Sequence, residues 1–187
     1  MHLRRLLIAI VSVCVVQAVA PTTANAQSFF SFLWEGGSRE VVSFDPRQTP
    51  GQIIVSFGDR RLYWIQRPGV AVSYPIAIPR EKSRWQGVTS VSDKRVNPGW
   101  TPTAEMRREN PRLPVHVVGG HPMNPLGVRA LYLGSSMYRI HGTDAPWTIG
   151  TAASKGCIRM YNSDVLDLYP RVPLGTRVTV TWRRFRG

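Results

Sequence analysis

Cysteine and acidic residues are scarce in this chain of 187 residues. It has two cysteines, and 11 acidic residues against 24 Lys and Arg, which gives a formal net charge of +13 at pH 7. No spacing among the histidines, cysteines and acids matches a zinc site, and no internal repeat or low-complexity tract is present. These absences exclude a repeat protein, and we predict neither a metal nor a cofactor.

The N-terminus has the pattern of an export signal. Residues 1–5 are basic, residues 6–20 form an uncharged apolar run, and Ala-Asn-Ala at 24–26 fits the small-x-small rule of signal peptidase. We therefore predict a signal peptide over residues 1–26 and a mature chain that starts at Gln27. The apolar run is too short for a comfortable membrane span, so we expect secretion with no transmembrane segment left after cleavage.

The excess of positive charge indicates which kinds of partner the chain could bind. Removal of the signal peptide leaves 22 basic against 11 acidic residues, a net charge of +11. The basic residues are scattered, without the Lys/Arg runs or aromatic-basic repeats of nucleic-acid binders, so no nucleic acid is expected. A peptidoglycan sacculus or an anionic outer-membrane face fits an exported basic protein better. The alternative is that the charge serves only solubility.

The rest of the chain reads as a flexible tether followed by one mainly β domain. Residues 27–50 are rich in Ser, Gly, Pro and Gln, which favours a tether, and an ordered domain is predicted over 51–187. A short helix is expected within 102–110, and another over 163–169 with Asn162 as its N-cap. Apolar, β-branched or alternating patterns predict strands at 52–57, 61–66, 70–78, 87–96, 129–133 and 137–141, and a last strand after Gly175.

A thiol and an imidazole lie close together in the sequence, and each has a glycine beside it. Cleavage of the signal peptide would leave Cys157 as the single thiol, sixteen residues after His141, with Gly142 and Gly156 beside them. These are the parts of a thiol acyl-transfer site. The alternative is an inert, buried cysteine. The neighbouring Lys155, Gly156 and Arg159 are not core residues, and cations favour a thiolate, which argues for a reactive thiol.

The segment around these residues resembles the catalytic signature of the L,D-transpeptidase family. Residues 138–162 read YRIHGTDAPWTIGTAASKGCIRMYN, and the family signature is HGT, a spacer, and S-x-G-C-I-R-M-x-N. Residues 119–127 resemble the family's G…NPLG segment, and the strands after Gly51 resemble its opening meander. The resemblance covers residues 51–182. It implies a mainly β fold, a β-sandwich of mixed sheets with one or two short helices.

The resemblance also implies roles for individual residues. Cys157 is the expected nucleophile and His141 the general base and acid, with the backbone carbonyl of Gly142 orienting the imidazole. The backbone N–H groups of Lys155, Gly156 and Cys157 would form the oxyanion hole. Many relatives carry histidine where this chain has Lys155, and we expect that position to contribute its amide alone.

Four further residues are candidates for substrate binding. Arg159 shares a strand face with Cys157 and could pair with a substrate carboxylate, the alternative being a solvated strand residue. Ser154, His121 and Asn124 complete the set; the alternative for Ser154 is a local turn residue, and for His121 a structural loop histidine. Asp144 is expected to be a loop residue, although its proximity to His141 in sequence leaves it open as the group that orients the ring.

The implied function is that of a periplasmic L,D-transpeptidase on peptidoglycan. Its donor would be a stem tetrapeptide, cleaved through a cysteinyl thioester, and family members are typically sensitive to carbapenems. The acceptor amine could belong to another stem peptide or to an outer-membrane protein. Exchange of a D-amino acid, or hydrolysis as an L,D-carboxypeptidase, would use the same site.

Two other classes of function remain open to test. Papain-like cysteine peptidases usually place cysteine before histidine in the chain, whereas here His141 precedes Cys157. A non-catalytic peptidoglycan-binding protein would be expected to have lost one of the two residues, and both are present. The order and presence of these side chains therefore favour the transpeptidase.

Overall fold

The computed structural model describes residues 39–185. The predicted signal peptide and the first part of the predicted tether, residues 27–38, lie outside the described residues. Within residues 39–185 the chain forms two α-helices, α1 (Ala104–Glu109) and α2 (Asn162–Leu168), with short 3-10 turns at Glu81–Ser83, Pro146–Thr148 and Tyr169–Arg171. The strands are β1 (Glu40–Ser43), β2 (Ile53–Ser56), β3 (Arg61–Arg67), β4 (Val70–Pro75), β5 (Ile78–Pro79), β6 (Gly87–Val96), β7 (Arg129–Leu133), β8 (Arg139–His141), β9 (Ala152–Ser154), β10 (Ile158–Arg159) and β11 (Arg177–Thr181).

Nine of these strands form one mixed sheet that folds over on itself at β6. The order is β1-β4-β3-β2-β11-β6-β7-β8-β10, and β5 and β9 form a separate parallel pair. The first half of β6 pairs with β11 and the second half with β7, with an irregular register between Val91 and Asp93. Strand β6 is thus shared by both halves of the sheet. The expected mainly β fold with mixed sheets and few short helices is confirmed.

The main hydrophobic core lies between the two halves of the sheet and under α2. It takes Ile53, Leu62 and Tyr74 from one half and Leu131 and Ile140 from the other, all of them fully buried. Helix α2 adds two further buried apolar side chains to the same cluster. Burial of apolar area on this scale is the main favourable term in folding, and it fixes β7, β8 and β10 as rigid elements.

The structure differs from the predicted tether over its last twelve residues. Glu40–Ser43 forms β1, which pairs in antiparallel fashion with β4 at the sheet edge. Val42 and Phe44 pack on a second core cluster that includes Tyr63. Strand β1 has only two apolar residues, which are adjacent, so it shows no strand pattern in a segment rich in turn residues. Its structure is decided by tertiary pairing.

The predicted third strand, 70–78, is also different, because it is divided in two. Pro75 ends β4, since proline has no N–H for the ladder. Ala77 then forms an isolated bridge with Arg159, with N–H···O distances of 2.9 and 3.1 Å. Ile78 pairs with Ala152 in β9. The chain thus leaves one half of the sheet and supports the edge strand β10 of the other.

No helix within residues 39–185 has the length and apolar character needed to cross a bilayer.

Asp164 is a buried carboxylate in the first turn of α2. Its side chain is fully buried, neither oxygen has a hydrogen-bond partner among residues 39–185, and the nearest cation is Arg39 Nη1 at 3.9 Å from Oδ1. Burial raises the pKa of Asp164 from 3.8 to about 7. Because the folded state holds this proton more tightly than the unfolded state, the stabilising effect is complete below pH 3.8 and is lost as pH rises through 7.

We therefore expect wild type to lose roughly 1–3 kcal/mol of unfolding free energy between pH 5 and pH 8 through this group, and Asp164→Asn to lose little. Urea unfolding at the two pH values measures the difference. Asp45→Asn is the control, because the pKa of Asp45 is lowered to about 2 by Arg47 and it does not titrate in this window. Equal pH dependence in wild type and Asp164→Asn would contradict the assignment.

Candidate active site

The parallel pairing of β8 and β10 brings the histidine and cysteine ends of the motif together. Ile158 lies opposite Ile140, and Arg159 lies opposite His141. Both isoleucines are fully buried in the core. Since side chains alternate along a strand, Arg159 and His141 project from the opposite face, and Cys157 precedes Ile158 on the same side as Arg159. The core thus fixes the face on which the polar side chains meet.

His141, Cys157, Arg139 and Arg159 line one polar cleft of about 120 Å³. The remaining lining comes from the loop before Cys157, from α1 and its N-terminal side, and from the NPLG loop. It consists of Gly99, Trp100, Thr101, Thr103, Met106, Pro125, Leu126, Met137, Ser154 and Lys155. A thiol, an imidazole and two guanidinium groups therefore face one small volume.

The imidazole of His141 is held in one orientation by its neighbour in the chain. Its Nδ1 lies 2.6 Å from the backbone carbonyl oxygen of Gly142. A carbonyl can only accept, so Nδ1 carries the proton and the lone pair of Nε2 is left free. His141 is 3% exposed. Burial, with the charges of Arg159 and Arg139, lowers its pKa from 6.5 to about 3, so the ring is neutral at physiological pH.

Burial and positive charge act in opposite directions on the thiol of Cys157. Burial raises its pKa, whereas hydrogen bonds and charge from Arg139, and the charge of Arg159, lower it. The Sγ atom lies 3.8 Å from the carbonyl oxygen of Met137, and Nη1 of Arg139 donates to the same oxygen at 3.0 Å. The thiol and the guanidinium therefore converge on a single backbone carbonyl.

Arg139 is the functional candidate that the sequence did not reveal. It lies two residues before His141 in β8, so it shares a strand face with the imidazole. Its guanidinium stacks on the ring of Tyr132, 4.8 Å from the centroid. The spacing relative to His141 was the only signal in the sequence, and a lone arginine in a strand is ordinarily read as solvated.

Two buried N–H groups in the cleft have no partner. The Nε atoms of Arg139 and Arg159 are both buried without a hydrogen bond to any residue between 39 and 185. Burial lowers the pKa of Arg159, and the charge of Asp144 opposes that shift. The carbonyl of Gly142, and not Asp144, is the partner of Nδ1 of the imidazole.

The loop before Cys157 has a backbone that requires glycine at position 156. Gly156 has φ = +119°, and a Cβ there would lie 2.3 Å from Cε1 of Tyr138. Tyr138 stacks on Trp85 at 4.7 Å, and the indole N–H of Trp85 donates to the Gly156 carbonyl at 3.0 Å. The N–H groups of Lys155, Gly156 and Cys157 donate to no other residue between 39 and 185.

The side chains of Lys155 and Ser154 have local partners. The Lys155 ammonium forms an ion pair with Glu109 at the end of α1, and this hydrogen bond lowers the pKa of Glu109. The Ser154 hydroxyl donates to the carbonyl of Cys157. The first contact neutralises the Lys155 charge, and the second closes the turn that carries Gly156.

The two candidates in the NPLG segment lie outside the small cleft. Asn124 is 1% exposed; its Nδ2 donates to the carbonyls of Pro98 and Val118, and its Oδ1 accepts from the N–H of Leu126. It braces the loop and presents no free group to a substrate, which differs from the expected binding role. His121 is exposed, its Nδ1 accepts the N–H of Met123, and it lines a neighbouring apolar hollow.

Asn162 has a role other than the predicted N-cap. Helix α2 begins at Asn162 itself, preceded by Tyr161, and no side chain caps it. The buried amide of Asn162 instead accepts the N–H of Thr143 at 3.1 Å and donates to the Thr143 carbonyl at 2.9 Å, and it accepts the N–H of Val128 at 3.4 Å. It therefore fixes the loop that follows His141.

Comparison with known proteins gives a consistent match. The family model described as YkuD, L,D-transpeptidase catalytic domain, matches residues 50–180. A curated relative from Escherichia coli (strain K12), "Probable L,D-transpeptidase ErfK/SrfK", is 42% identical over 137 residues, which cover 68% of this chain and 43% of the relative. The chain thus spans less than half the length of that relative.

Solved structures share the fold. The catalytic domain of the Enterococcus faecium L,D-transpeptidase superposes with a TM-score of 0.55 at 19% identity, covering 72% of this chain and 99% of that domain. A Brucella melitensis protein described as a probable carnitine operon oxidoreductase is 41% identical, with a TM-score of 0.52, covering 81% of this chain and 98% of that one. A shared fold does not fix a reaction, so the activity rests on the residues of the cleft.

Replacement of Asn162 tests whether its amide holds the cleft. We expect Asn162→Ala to lower the unfolding free energy by about 2–4 kcal/mol, because three buried backbone groups lose their partner, and to slow alkylation of Cys157 by iodoacetamide. Urea unfolding and mass spectrometry of the Cys157 peptide measure the two effects. Asn110→Ala, at an exposed loop, is the control and should change neither value appreciably. An Asn162→Ala protein as stable as wild type would refute the role.

Replacement of Arg139 tests its effect on the thiol. Loss of the guanidinium in Arg139→Gln should raise the pKa of Cys157 further and slow its alkylation at pH 7 by about threefold to tenfold, with partial rescue in Arg139→Lys. The alkylation rate of the Cys157 peptide is measured from pH 6 to pH 10. Arg177→Gln, at an exposed position of β11, is the matched control. If the pH profile of Arg139→Gln overlays that of wild type, the electrostatic role is wrong.

Proposed function

The chain belongs to the L,D-transpeptidase family, and from this premise we propose that it transfers a peptidoglycan stem-peptide acyl group through a thioester on Cys157. The observation that carries the proposal is the convergence of Cys157 and His141 in one cleft, with Nδ1 of His141 held by the Gly142 carbonyl. Because the ring is held, the lone pair of Nε2 points in a fixed direction and can act as the base, and Cys157 provides the nucleophile. The donor would be a stem tetrapeptide.

In the first step, the thiol of Cys157 attacks the carbonyl carbon of the L,D amide between the diamino acid and the terminal D-alanine. The thiol proton passes to Nε2 of His141 as the C–S bond forms. The amide C–N bond then breaks, the imidazolium returns the proton to the leaving amine, and D-alanine departs. A thioester remains on Cys157.

The oxyanion that develops in this step needs donors that are not already committed. The backbone N–H groups of Lys155, Gly156 and Cys157 are uncommitted among the described residues, and the left-handed backbone at Gly156 turns that loop. Removal of one such donor in acyl-transfer enzymes typically costs about 10²–10³ in rate. These three amides are therefore the proposed oxyanion hole, and Lys155 serves it through its main chain.

Two arginines in the cleft, Arg139 and Arg159, would interact with negative charge during the reaction. A stem peptide carries free carboxylates, and the buried Nε atoms of Arg139 and Arg159 are unpaired donors in the cleft. A guanidinium donates two parallel hydrogen bonds to a carboxylate, and a buried donor gains most from being paired. Arg159 is the proposed carboxylate partner, and Arg139 the group that favours the thiolate.

In the second step an amine attacks the thioester, with His141 taking the amine proton and returning it to the departing Cys157 sulfur. Transfer to another stem peptide gives a cross-link, and transfer to an outer-membrane protein gives an attachment; a D-amino acid or water as acceptor would give exchange or carboxypeptidase activity. Export to the periplasm, guided by the N-terminal signal pattern, would place the enzyme beside this substrate.

Acylation by a carbapenem tests the nucleophile and base directly. We expect intact-mass spectrometry to show one adduct per chain on wild type and none on Cys157→Ala, because the sulfur is the attacking atom. His141→Ala should acylate about 10²–10⁴-fold more slowly, since general base assistance is lost. The exposed variant His116→Ala is the matched control and should acylate at the wild-type rate.

A second assay identifies the transferred group. Incubation with a disaccharide-tetrapeptide should release D-alanine and give a cross-linked or exchanged product in wild type, and neither in Cys157→Ala. Absence of both the adduct and D-alanine release in folded wild-type protein would exclude the proposed acyl transfer and leave a peptidoglycan-binding role.

A further inference from the structure

A larger cleft lies outside the catalytic cleft, at the other end of the β5–β9 pair. Its volume is about 860 Å³, and no residue that lines it also lines the cleft of Cys157. Four arginines line it, together with Trp182 and Asp59. One of the four, Arg61, forms an ion pair with Glu40 at 3.2 Å, and the other three are Arg60, Arg84 and Arg184. Neither the motif nor the proposed acyl transfer uses these residues.

Three of the positive charges of this cleft, which we call the arginine cleft, have no ion pair among the residues that the structure describes. Within residues 39–185, no carboxylate lies within ion-pair distance of Arg60, Arg84 or Arg184. The one carboxylate in the wall, Asp59, accepts from the hydroxyl of Tyr63 at 2.9 Å and from the N–H of Phe185 at 2.8 Å. These neutral donors leave the charge of Asp59 in place, so Arg60, Arg84 and Arg184 set three positive charges against one negative charge. The excess is positive, and a bound anion would balance it.

Two of the three guanidinium groups are already positioned. Nη1 of Arg60 donates to the carbonyl of Gly150 at 2.6 Å, although Arg60 has φ = +53°, a conformation that favours glycine. The guanidinium of Arg84 stacks on the indole of Trp182, 4.7 Å from the centroid, and its Nε donates to the Pro79 carbonyl at 3.3 Å. Because the side chains of Arg60 and Arg84 are already ordered in the folded protein, a ligand that binds them loses less free energy to side-chain ordering.

Arg184 and Trp182 reach the wall because the C-terminal segment passes very close to Gly58, and only glycine permits this approach. A Cβ at Gly58 would lie 2.4 Å from the carbonyl oxygen of Trp182 and 2.8 Å from Cγ of Arg184. The hydroxyl of Ser56 donates to the carbonyl of Arg183 at 2.7 Å and holds the same segment down. The C-terminal segment is thus fixed across Gly58, which puts Arg184 and Trp182 in the wall.

The arginine cleft is connected to the catalytic loop through two short strands. Gly150 and Ile78 line it, and Ile78 pairs with Ala152 in β9. Strand β9 ends at Ser154, whose carbonyl accepts the N–H of Arg80 at 2.9 Å and whose hydroxyl donates to Cys157. The two clefts therefore lie along the same pair of short strands.

We propose that the arginine cleft is a second binding site for the carboxylates of a peptidoglycan stem peptide, other than the donor held at Cys157. Guanidinium groups bind planar carboxylates in two-pronged fashion, and three of them fit a ligand with two or more carboxylates. The choice of stem peptide rests on the proposed function, since peptidoglycan carries many such acidic peptides on one polymer. Binding at two sites would hold the sacculus against the enzyme.

The test measures binding in a protein that cannot react. The chain is expressed from its full-length sequence with Cys157→Ala, labelled with ¹⁵N, and titrated with disaccharide-tripeptide while the indole N–H signals are followed. The Trp182 indole reports on the arginine cleft and that of Trp100 on the catalytic cleft. We expect saturable movement of the Trp182 signal, and about tenfold weaker affinity at that signal in Arg84→Gln/Arg184→Gln.

Arg67→Gln/Arg177→Gln is the control, because it removes the same charge from exposed positions away from the cleft and should change the affinity at Trp182 by less than about twofold. An unmoved Trp182 signal, an equal loss in this control, or tighter binding of inorganic tripolyphosphate than of the tripeptide would overturn the proposal. Since Trp100 reports separately and no turnover is needed, these outcomes differ from a failure of acyl transfer, which the carbapenem adduct detects.

Discussion

The parallel pairing of β8 with β10 is the constraint on which the catalytic cleft depends. It sets Ile158 against Ile140 in the core, and this burial leaves no freedom for the other face of the two strands. A shift of the register by one residue would turn His141 and Arg159 into the core and the isoleucines into the cleft. The bridge from Ala77 to Arg159 covers the outer edge of β10 and stabilises the register of β10 against β8. Hydrophobic burial therefore fixes the relative positions of a thiol and an imidazole that are sixteen residues apart.

Several motif residues that suggest chemistry are required by packing. The Oδ1 atom of Asn162 sits so close to two separate loops that a Cβ at Gly142 would lie 2.2 Å from it and a Cβ at Gly127 2.3 Å from it. One amide thus accounts for the glycine of HGT, the glycine of NPLG and the asparagine that ends the signature. The three segments of the motif meet at this atom, next to the carbonyl that holds the His141 ring. Of the motif's side chains, His141, Cys157 and the arginines are left as those proposed to take part in the reaction.

The sequence predicted most strands because their patterns are local. Alternation and β-branched runs located β2, β3, β6, β7 and β11 closely. Cys157 and His141, each beside a glycine, indicated the cleft.

The features that the sequence could not show depend on partners far along the chain. Strand β1 forms because β4 offers it an edge, and Asn162 turns away from its own helix because Thr143 and Val128 need its amide. The stack of Trp85 on Tyr138 joins residues 53 positions apart to hold Gly156, and no local pattern encodes that contact.

Electrostatics in the cleft favours a neutral resting pair. Burial disfavours both the imidazolium of His141 and the thiolate of Cys157, while the two arginines oppose the first charge and favour the second. An ion pair of thiolate and imidazolium, the usual device for activating a cysteine, would require His141 to hold a proton that its surroundings reject. In the proposed reaction, the neutral imidazole is available as a base, and the thiol would give up its proton only when substrate is bound. A carboxylate bound at Arg159 would weaken the positive field at His141, raise the pKa of the imidazole and so help it accept that proton. In the proposed reaction, binding of the acyl donor and proton transfer would be coupled in this way through the guanidinium of Arg159.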